Sequence, residues 1–515
     1  MKRVLISVSD KTGVVEFTKK LVSLGYEVIS TGGTKKTLDE AGIKTLSISD
    51  ITNFPEIMDG RVKTLHPNVH GALLCVRDNA EHLKALEDNK IEMIDMVVVN
   101  LYPFKETLSK VGVTHEELIE NIDIGGPSML RSAAKNYKSV TVVVDPKDYE
   151  VVIEQLEKLG DTEAETRERL AAKVFRHTSA YDTLIAEYLT SKVKEEFPES
   201  ITVTYEKVQD LRYGENPHQK AGFYKSSFAG YSIGNAVQLH GKELSYNNIQ
   251  DANAALEILK EFTKPTVVAV KHMNPCGVGS GENIDEAWNR AYEADKVSIF
   301  GGIVAANSVL TKEVAEKLSA LFLEIVIAPG YEKEALEIIT QKKNIRVMKL
   351  ELNSNIVNKK KITSVMDGAL IQEFDERNIS KDELVCVTDR KPTEDEIEDL
   401  IFNWNVVKHV KSNAIVVGKN NQTIGVGAGQ MNRVGAAKIA LEQGGKKCNG
   451  AVMASDAFFP MADTVEMAAK FGIKAIIQPG GSIKDSLSIE ECNKYGIAMV
   501  FTGVRHFKHL FWRSL

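Results

Sequence analysis

Short β-branched runs alternate with helical patterns from Arg3 onward in this chain. The runs predicted to be strands are residues 4–8, 26–30, 96–100 and 140–144. A helical pattern follows the first run as far as Leu24, and another begins with the TGGT sequence at residues 31–34. Strands that alternate with helices usually form one parallel sheet with helices packed on its faces. The chain is therefore predicted to open with an α/β domain.

A long amphipathic helix is predicted to close this first domain. It covers residues 163–191, where apolar side chains recur every three or four positions and form a stripe. The stripe consists of Leu170, Val174, Tyr181, Ile185 and Leu189. Because 515 residues are too many for one hydrophobic core, we place a boundary near Pro198 to Ser200. The predicted domains are residues 1–199 and 200–515.

Composition excludes several classes of function. Apolar residues make up 43% of the chain and the formal net charge is −7, so we expect a globular protein without a basic field for nucleic acid. Local clusters of Lys, Arg and backbone N–H groups could still bind small phosphates. The five cysteines form no CxxC pair, which favours a reducing, cytoplasmic setting. No signal peptide or membrane-spanning segment is visible, so no membrane association is expected.

The second region contains a faint internal repeat. The matching segments are VKH at 270–272 and 407–409, FGG at 300–302 with FFP at 458–460, and IAPG at 327–330 with IQPG at 477–480. Their separations differ, so loops would have to vary in length between two copies, and chance similarity stays an alternative. The repeat predicts two related α/β units, roughly residues 200–365 and 366–515.

A cation and an imidazole stand side by side in the run at residues 271–277 (KHMNPCG). The run follows a buried-strand pattern at residues 265–270. Lys271 and His272 are therefore expected where a strand ends, which is where open α/β sheets bind ligands. A surface ion-pair site is the alternative interpretation.

A second polar run lies upstream at residues 211–219 (LRYGENPHQ). It is dense in hydrogen-bond donors and turn formers, and a solvated loop would explain it. Arg212 and Tyr213, however, offer a phosphate-binding fork beside an aromatic face. The two runs together are candidates for one ligand site.

Two turns of the first domain are candidates for a phosphate site. Residues 7–12 (SVSDKT) stand between a strand end and a helix start, and residues 31–34 follow the next strand. Free backbone N–H groups and the helix dipole favour an anion at such positions. The candidate residues are Ser7, Ser9, Lys11, Thr12, Thr31, Gly32, Gly33 and Thr34. An ordinary helix N-cap would explain Ser9 or Asp10 equally well.

The runs at 211–219 and 271–277 together resemble 5-aminoimidazole-4-carboxamide ribonucleotide (AICAR) formyltransferases. The first domain resembles inosine monophosphate (IMP) cyclohydrolases through four runs in that family's order. These runs are 7–12 (SVSDKT), 60–67 (GRVKTLHP), 100–104 (NLYPF) and 123–126 (DIGG). Further motifs continue to Arg505, so the resemblance to the bifunctional family covers essentially the whole chain. It implies a Rossmann-like first domain, of the fold shared with methylglyoxal synthase, followed by a duplicated cytidine-deaminase-like α/β region.

The resemblance implies the last two steps of de novo IMP synthesis. A formyl group would pass from the co-substrate 10-formyltetrahydrofolate to AICAR, and formyl-AICAR would then close to IMP with loss of water. A homodimer is also implied, because in the family Arg433 and Arg505 reach the formyl-transfer site from the other subunit. No metal is expected for catalysis, because residues 272–274 (HMN) and 275–279 (PCGVG) lack the HxE and PCxxC signature of zinc deaminases.

Ring closure needs an oxyanion to be stabilised and protons to be moved while the carboxamide nitrogen attacks the formyl carbon. By resemblance, the residues that carry this step are Lys63, Tyr102, Asp123 and Lys135. Arg61 and Thr64 would contact the nucleotide. From the local sequence alone, Asp123 could equally cap the helix that follows it, and Lys135 could be a solvated lysine near that helix's end.

Formyl transfer needs a base, because the amine of AICAR is a weak nucleophile. His272 is the natural base, since the ordinary pKa of histidine is about 6.5. Lys271 would stabilise the oxyanion, with proton donation to the leaving folate nitrogen as the alternative. By resemblance, Asn413 positions the reacting groups, and the AICAR pocket is lined by Arg212, Tyr213, Gly301, Glu324, Arg433, Phe458 and Arg505, with Asp463 close to the folate. Glu324 stands where some family members have aspartate, which lengthens its reach.

Two other functions stay open for the first domain. It could be a nucleotide-sensing module, because related folds bind effectors in regulatory domains, or a lyase acting on a small phosphate such as dihydroxyacetone phosphate. Further along the chain, the GVGAG run at residues 425–429 invites a dinucleotide-binding interpretation. It lacks the third glycine of that fingerprint, and no acidic residue is obvious at the usual distance, which argues against NAD.

Overall fold

The computed structural model describes residues 1–101, 104–227, 230–351 and 360–509. The chain divides into two compact units, Met1–Thr204 and Tyr205–Leu515, and the sequence placed the division near Pro198 to Ser200. In the described part of the chain, no helix combines the length and the apolar character needed to cross a membrane.

The first unit is built on a five-stranded sheet in which every neighbouring pair is parallel, with the order β3-β2-β1-β4-β5. Its strands are β1 (Lys2–Val8), β2 (Tyr26–Ser30), β3 (Thr45–Ser47), β4 (Met96–Asn100) and β5 (Thr141–Val143). The central strands are apolar and buried on both faces, as parallel strands covered by helices usually are. The predicted parallel α/β fold is confirmed.

Helices surround this sheet and connect its strands. They are α1 (Val14–Ser23), α2 (Gly32–Glu40), α3 (Ile48–Thr52), α4 (Pro67–Leu74), α5 (Ala80–Asp88), α6 (Phe104–Leu108), α7 (His115–Glu120), α8 (Gly125–Lys135), α9 (Tyr149–Leu159) and α10 (Ala164–Val193). The long helix α10 buries Leu170, Val174 and Tyr181 as predicted, but Leu189 is 39% exposed. The stripe continues instead through Leu184 and Tyr188, because a 3.6-residue period from Tyr181 places these positions, and not position 189, on the buried face.

The second unit contains two six-stranded mixed sheets. The first has the order β10-β9-β11-β12-β13-β8 and the second the order β18-β17-β19-β20-β21-β16. The strands of the first sheet are β8 (Val237–His240), β9 (Thr266–Lys271), β10 (Asn274–Ser280), β11 (Ile303–Ala306), β12 (Ile325–Ala328) and β13 (Arg346–Lys349). Those of the second sheet are β16 (Val385–Cys386), β17 (Ile415–Gly418), β18 (Thr423–Gly427), β19 (Val452–Ser455), β20 (Ala475–Gln478) and β21 (Ala498–Phe501). Separate hairpins are formed by β6 (Tyr205–Leu211) with β7 (Ala221–Ser226) and by β14 (Lys360–Val365) with β15 (Gly368–Glu373).

The two sheets share one topology. Each sheet begins with a hairpin of two antiparallel strands. The first strand of the hairpin is also antiparallel to the next strand of the sheet, which is followed by two strands parallel to it. The last strand is antiparallel to its neighbour, lies at the opposite edge and precedes the hairpin in sequence. The helices repeat in the same order. They are α11 (Tyr246–Leu259), α12 (Ile284–Ala294), α13 (Lys312–Ser319) and α14 (Lys333–Ile339) in the first copy, and α15 (Glu394–Val407), α16 (Arg433–Gly444), α17 (Asp463–Lys470) and α18 (Asp485–Tyr495) in the second. This is the architecture expected of two related α/β units.

Two of the three sequence matches that suggested the repeat are wrong in register. Residues 270–272 lie at the end of β9, whereas residues 407–409 lie at the end of α15. Residues 300–302 precede β11, whereas residues 458–460 follow β19. Only the third match joins equivalent positions, because it lies at the ends of β12 and β20. Short motifs matched by residue identity alone therefore do not give the register of the helices and strands.

The two copies share a hydrophobic core. Helix α11 contributes Leu256 and Leu259, helix α15 contributes Trp404 and Val407, and both sheets face these helices with buried strand residues. The outer faces of the sheets are covered separately, by α12–α14 on the first and α16–α18 on the second. The paired helices α11 and α15 therefore fix the two sheets relative to each other within this unit.

The second hairpin strand of each copy packs against the next helix at backbone contact distance. A Cβ on Gly277 would lie 2.2 Å from the carbonyl oxygen of Ala291 in α12. A Cβ on Gly427 would lie 1.9 Å from the carbonyl oxygen of Ala436 in α16, and Gly425 meets the same helix as closely. The GVGAG run is thus explained by packing, because only glycine lets strand and helix approach this far.

We expect Gly427→Ala to lower the free energy of unfolding by about 1–3 kcal/mol or more, because the new methyl group forces β18 away from α16. The matched control is Gly368→Ala, since a Cβ there meets only Val365 Cγ2 at 3.5 Å. Thermal unfolding followed by circular dichroism measures both. Equal melting temperatures for the two variants would contradict the packing role.

Candidate active sites

In the first unit, the turns after β1 and β2 lie side by side. The hydroxyl groups of Ser7 and Thr31 are 2.7 Å apart. The Lys11 ammonium lies 4.0 Å from the position that a Cβ on Gly33 would occupy, so it stands over the start of α2. The first N–H groups of a helix have no partner within the helix. This corner therefore presents a cation, hydroxyl groups and helix N–H groups together, which suits a phosphate.

The Thr34 hydroxyl is not free for a ligand. It accepts a hydrogen bond from the Val8 N–H at 3.0 Å and donates to the Val8 carbonyl at 2.9 Å. Thr34 therefore joins the end of β1 to the start of α2. Its predicted contact with substrate stays a prediction, and its observed bonds are structural.

Asn100, at the end of β4, holds the loop that carries Ser9. Its side-chain oxygen accepts from the N–H groups of Ser9 and Asp10 at 2.6 and 2.9 Å, and its amide donates to the Asp10 carbonyl. Asp10 in turn accepts from the Thr12 hydroxyl at 2.7 Å. That hydrogen bond lowers the pKa of Asp10 below its ordinary value. The loop shape is thus set by a residue on a neighbouring strand.

The loop before α4 meets the N-terminus of α8. A Cβ on Gly125 would lie 2.5 Å from the Thr64 hydroxyl oxygen, so Thr64 packs directly on the first turn of α8. Asp123 accepts from the Gly126 N–H at 2.8 Å, which shows that the capping alternative holds for this carboxylate. Leu101, which follows β4, packs against the same glycine. Residues near 64, 101 and 123 therefore converge at one end of the sheet.

Three further predicted cyclohydrolase residues, Lys63, Arg61 and Lys135, lie within the described part of the first unit. The Lys63 ammonium lies 3.8 Å from the position of a Cβ on Gly60, and Arg61 is exposed and paired with Glu120. Lys135 ends α8, so it lies about 15 Å along the helix axis from Gly125. The structure does not bring it to the others within this chain. Tyr102 lies outside the described residues.

In the second unit, Lys271 and His272 begin a two-residue hairpin turn. Lys271 pairs with Asn274 across the turn, and His272 and Met273 both have positive φ, 53° and 60°. That combination is required by a type I′ turn and is normally provided by Asn or Gly. Asp251 of α11 accepts from the N–H groups of both His272 and Met273, at 3.2 and 2.7 Å. Burial raises the pKa of Asp251, although these N–H donors oppose the shift.

The Lys271 ammonium crosses to the neighbouring strand and donates to the Phe300 carbonyl at 2.8 Å. Gly301 and Glu324 lie at the same edge of the sheet, before β11 and β12, and Glu324 pairs with Arg346 at 2.5 Å. This edge therefore contains the carboxyl end of β9 and the amino ends of the strands beside it. The strand-end prediction is right for Lys271, but the argument from parallel sheets does not apply, because β9 runs antiparallel to β11.

Asp456 contacts Arg433 and the chain neighbours of two other predicted residues, Asn413 and Arg505. Its carboxylate pairs with Arg433 and accepts from the Ser412 hydroxyl at 2.5 Å, next to Asn413. Its carbonyl accepts from the His506 N–H at 2.9 Å, which places Arg505 beside the same residue. Phe458 follows it by two positions, and Asp463 begins α17. Arg433 is buried and paired with Asp456. Its predicted contact with AICAR stays a prediction.

Hydrogen bonds link these groups to the Lys271 turn. The Asn274 side chain accepts from the Lys411 N–H at 3.5 Å, two residues before Asn413. On the other side, Arg212 stacks on Tyr213 with 5.7 Å between guanidinium carbon and ring centroid. Their loop reaches α11 through the bond from Asn247 to the Glu215 carbonyl at 3.4 Å. Asn247 lies one helical turn before Asp251, so both loops are held by one face of α11.

The Lys-His pair at 408–409 has a structural role. Lys408 and His409 both contact Glu261, two residues after the end of α11, at 3.2 and 2.7 Å. Burial alone would raise the pKa of Glu261, but the hydrogen bond and charge of His409 lower it, with help from Lys408. Glu257, one turn earlier, binds Lys508 at 2.6 Å. The Glu261 pairs join the segment after α11 to the end of α15, and the Glu257 pair joins α11 to the segment that contains Lys508.

Among the described residues, no group of three or more His, Cys, Asp or Glu side chains is placed to hold a metal ion. Cys276, which follows the Lys271 turn, donates to the Ala269 carbonyl at 3.4 Å. Burial raises the pKa of its thiol to about 12. Cys276 is therefore a half-buried residue whose thiol is bonded to the backbone of β9.

Comparisons with known proteins agree over the whole chain. A family model described as AICARFT/IMPCHase bienzyme matches residues 133–443, and a model described as MGS-like domain matches residues 13–128. The bifunctional purine biosynthesis protein PurH of Bacillus cytotoxicus is 64% identical over 509 residues, covering 99% of this chain and 100% of that protein. PurH of Bacillus cereus (strain ATCC 10987 / NRS 248) is 63% identical with the same coverage. The chain belongs to the AICARFT/IMPCHase bienzyme family.

Membership of the bienzyme family confirms the two predicted activities, AICAR formyltransferase and IMP cyclohydrolase, which are the last two steps of IMP synthesis. The formyltransferase activity of the bienzyme implies a folate co-substrate. A solved structure described as ForH is 35% identical, with a TM-score of 0.34, and covers 37% of this chain and 98% of that chain.

Sequence reasoning missed three polar residues that shape the bienzyme's candidate sites: Asn100, Asp251 and Asp456. Asn100 lies within the run at residues 100–104, but the local sequence indicates no role for it. Asp251 has a counterpart in the second copy, Asp399, which accepts from the N–H groups of Asn420 and Asn421 at 2.9 and 2.7 Å. A repeat aligned by helices and strands would have exposed this pair.

The same alignment equates His272 with Asn420, which also has positive φ, 56°. Because Asn tolerates this conformation better than His, we expect His272→Asn to raise the free energy of unfolding by up to about 1 kcal/mol while formyl transfer falls by ~10²-fold or more. The reciprocal control, Asn420→His, should lose stability and keep its activity. Melting temperatures and initial rates measure both. If His272→Asn were less stable than the unmodified protein, or fully active, the strained backbone at His272 would not be explained by a role in formyl transfer.

Proposed function

We propose that each unit carries one of the two reactions. The first domain, residues 1–199, would close formyl-AICAR to IMP, and the region 200–515 would transfer the formyl group from 10-formyltetrahydrofolate to AICAR. The observation that carries this proposal is the strained turn at His272, which holds an imidazole beside an ammonium group at a sheet edge. The match of residues 13–128 to the MGS-like domain supports a separate fold, and so a separate site, at the N-terminus.

In the first domain, the nucleotide's phosphate would bind at the corner formed by Ser7, Lys11 and the start of α2. That corner offers hydroxyl groups, one cation and free helix N–H groups. The base would then extend toward Thr64 and Asp123, which meet at the N-terminus of α8. Lys63 would stabilise the oxyanion formed as the carboxamide nitrogen attacks the formyl carbon, and Asp123 would move a proton. Tyr102 and Lys135 keep their predicted roles by family resemblance alone.

In the second region, His272 would take a proton from the AICAR amine as its nitrogen attacks the formyl carbon. The carbonyl oxygen becomes negative in that step, and Lys271, tethered to the Phe300 carbonyl, lies in reach to stabilise it. When the intermediate collapses, the bond from carbon to folate nitrogen breaks and that nitrogen gains a proton. Arg212 and Tyr213 would bind the nucleotide from the loop held by α11.

The formyl-transfer site would be completed in a homodimer. Arg505 is exposed in the single chain and rests on Phe507, with 4.7 Å between guanidinium carbon and ring centroid. In this conformation it is available to a neighbouring subunit. Asp463, at the first turn of α17, would lie close to the folate.

We expect His272→Ala to lower formyl transfer by about 10²–10⁴-fold while formyl-AICAR supplied directly still closes to IMP. Lys63→Ala should do the reverse, with formyl-AICAR accumulating from AICAR and ring closure slowed by about 10²–10³-fold. Chromatographic assay of IMP and formyl-AICAR from each substrate separates the two steps.

The unmodified protein is the control for this assay. If it fails to close formyl-AICAR, the sensing and lyase alternatives return for the first domain. Equal loss of both steps in either variant would contradict the division of labour.

The dimer proposal predicts complementation between two inactive variants. His272→Ala and Arg505→Ala homodimers should each be slow in formyl transfer. After mixing and subunit exchange, heterodimers contain one intact site, so the activity should rise to roughly a quarter of the unmodified value. Native mass spectrometry would verify exchange. A mixture that stays as inactive as its components would show that His272 and Arg505 act within one subunit.

A further inference from the structure

The backbone of the His272 turn is held by one carboxylate. Asp251 accepts from the N–H groups of His272 and Met273, the two residues with positive φ. Conformations of this kind cost about 1–3 kcal/mol each for ordinary side chains and persist only where the surroundings impose them. The carboxylate supplies that constraint, because each of its two oxygens accepts from one of the two consecutive N–H groups of the turn.

Asp251 is itself fixed by a rigid element. It lies on α11, whose N-terminus has a capping box in which Ser245 and Asn248 bond each other's backbone N–H groups. The same helix packs on both sheets through Leu256 and Leu259. The core of the unit therefore fixes the position of the carboxylate, and the carboxylate fixes the turn.

The second copy repeats this contact without the chemistry. Asp399 of α15 binds the N–H groups of Asn420 and Asn421, which also have positive φ, 56° and 54°. In both copies burial raises the pKa of the aspartate while its two N–H bonds oppose the shift. Both hairpin turns are therefore held by the same kind of contact, and only the turn of the first copy carries an imidazole.

We infer that Asp251 is a positioning residue for formyl transfer, which holds the His272 imidazole at its reacting distance by fixing the backbone of the turn. This inference rests on the proposed role of His272 as the base. Asp251 acts through the turn and does not touch the substrate. A small displacement of a reacting group is enough to cost about 10²-fold in rate.

The test compares Asp251→Asn with Asp399→Asn. Both substitutions keep the side chain's shape and replace one acceptor oxygen by an NH₂ group, so one N–H of each turn loses its partner. We expect Asp251→Asn to lower kcat for formyl transfer by about 10–100-fold while KM for AICAR changes by less than about threefold. Asp399→Asn should lose comparable thermal stability and keep its kcat.

A rescue variant separates positioning from a direct chemical role. Glycine adopts positive φ without cost, so Met273→Gly should let the turn form without the carboxylate. We expect Asp251→Asn combined with Met273→Gly to recover most of the lost kcat. Recovery would not occur if the carboxylate itself took part in the reaction.

Two results would overturn the inference: full kcat in Asp251→Asn, or an equal loss of kcat in Asp399→Asn. Ring closure of supplied formyl-AICAR, proposed for the other unit, reports the amount of active first unit in each preparation, and thermal unfolding reports whether the second unit is folded. If His272→Ala retains full formyl transfer, the proposed role of His272 is wrong. If His272→Ala is inactive and Asp251→Asn is not impaired, only the positioning role fails.

Discussion

The contact between a glycine-bearing hairpin strand and the helix after it sets the geometry of the second unit. At Gly277 and Gly427 a side chain would collide with a helix carbonyl oxygen, so strand and helix backbones touch. The two hairpins then meet each other, because the Val278 N–H donates to the Thr423 hydroxyl at 2.9 Å and the Ser280 N–H donates to the Asn421 carbonyl. With both hairpins fixed in this way, the His272 turn and the Lys411 segment come within hydrogen-bonding distance through Asn274. The candidate formyl-transfer site is a consequence of this packing.

Duplication explains how a strained histidine arose in a stable fold. Both hairpins close with two residues of positive φ, and both are bound by an aspartate from the preceding helix. Asn420 and Asn421 suit that conformation, whereas His272 and Met273 do not. A turn already stabilised from outside can accept a less favourable residue at a modest cost in free energy. The copy that presents the imidazole therefore relies on the aspartate of the preceding helix to hold its turn.

The sequence predicted the fold better than the sites. Strands such as residues 26–30 and 96–100 were predicted at their observed bounds, because a buried parallel strand has a strong local pattern of apolar and β-branched residues. The repeat was predicted, but its register was not, since three-letter matches contain less information than the order of helices and strands. Asp251 and Asp456 were missed because each acts on residues distant in sequence. Nothing in the sequence near Asp251 distinguishes an aspartate that binds a turn from one that faces solvent.

The two candidate sites present positive charge in different ways. The proposed phosphate corner of the first unit combines the N-terminus of α2, the Ser7 and Thr31 hydroxyl groups and the Lys11 ammonium, so backbone groups add a partial positive charge to the full charge of one lysine. The second unit has its candidate cations on side chains, at Arg212, Lys271 and Arg505. A helix N-terminus is rigid and carries only a partial charge, which suits a small site that closes one ring. Arginine side chains reach further and bind in a defined plane, which suits a site that must align two separate substrates.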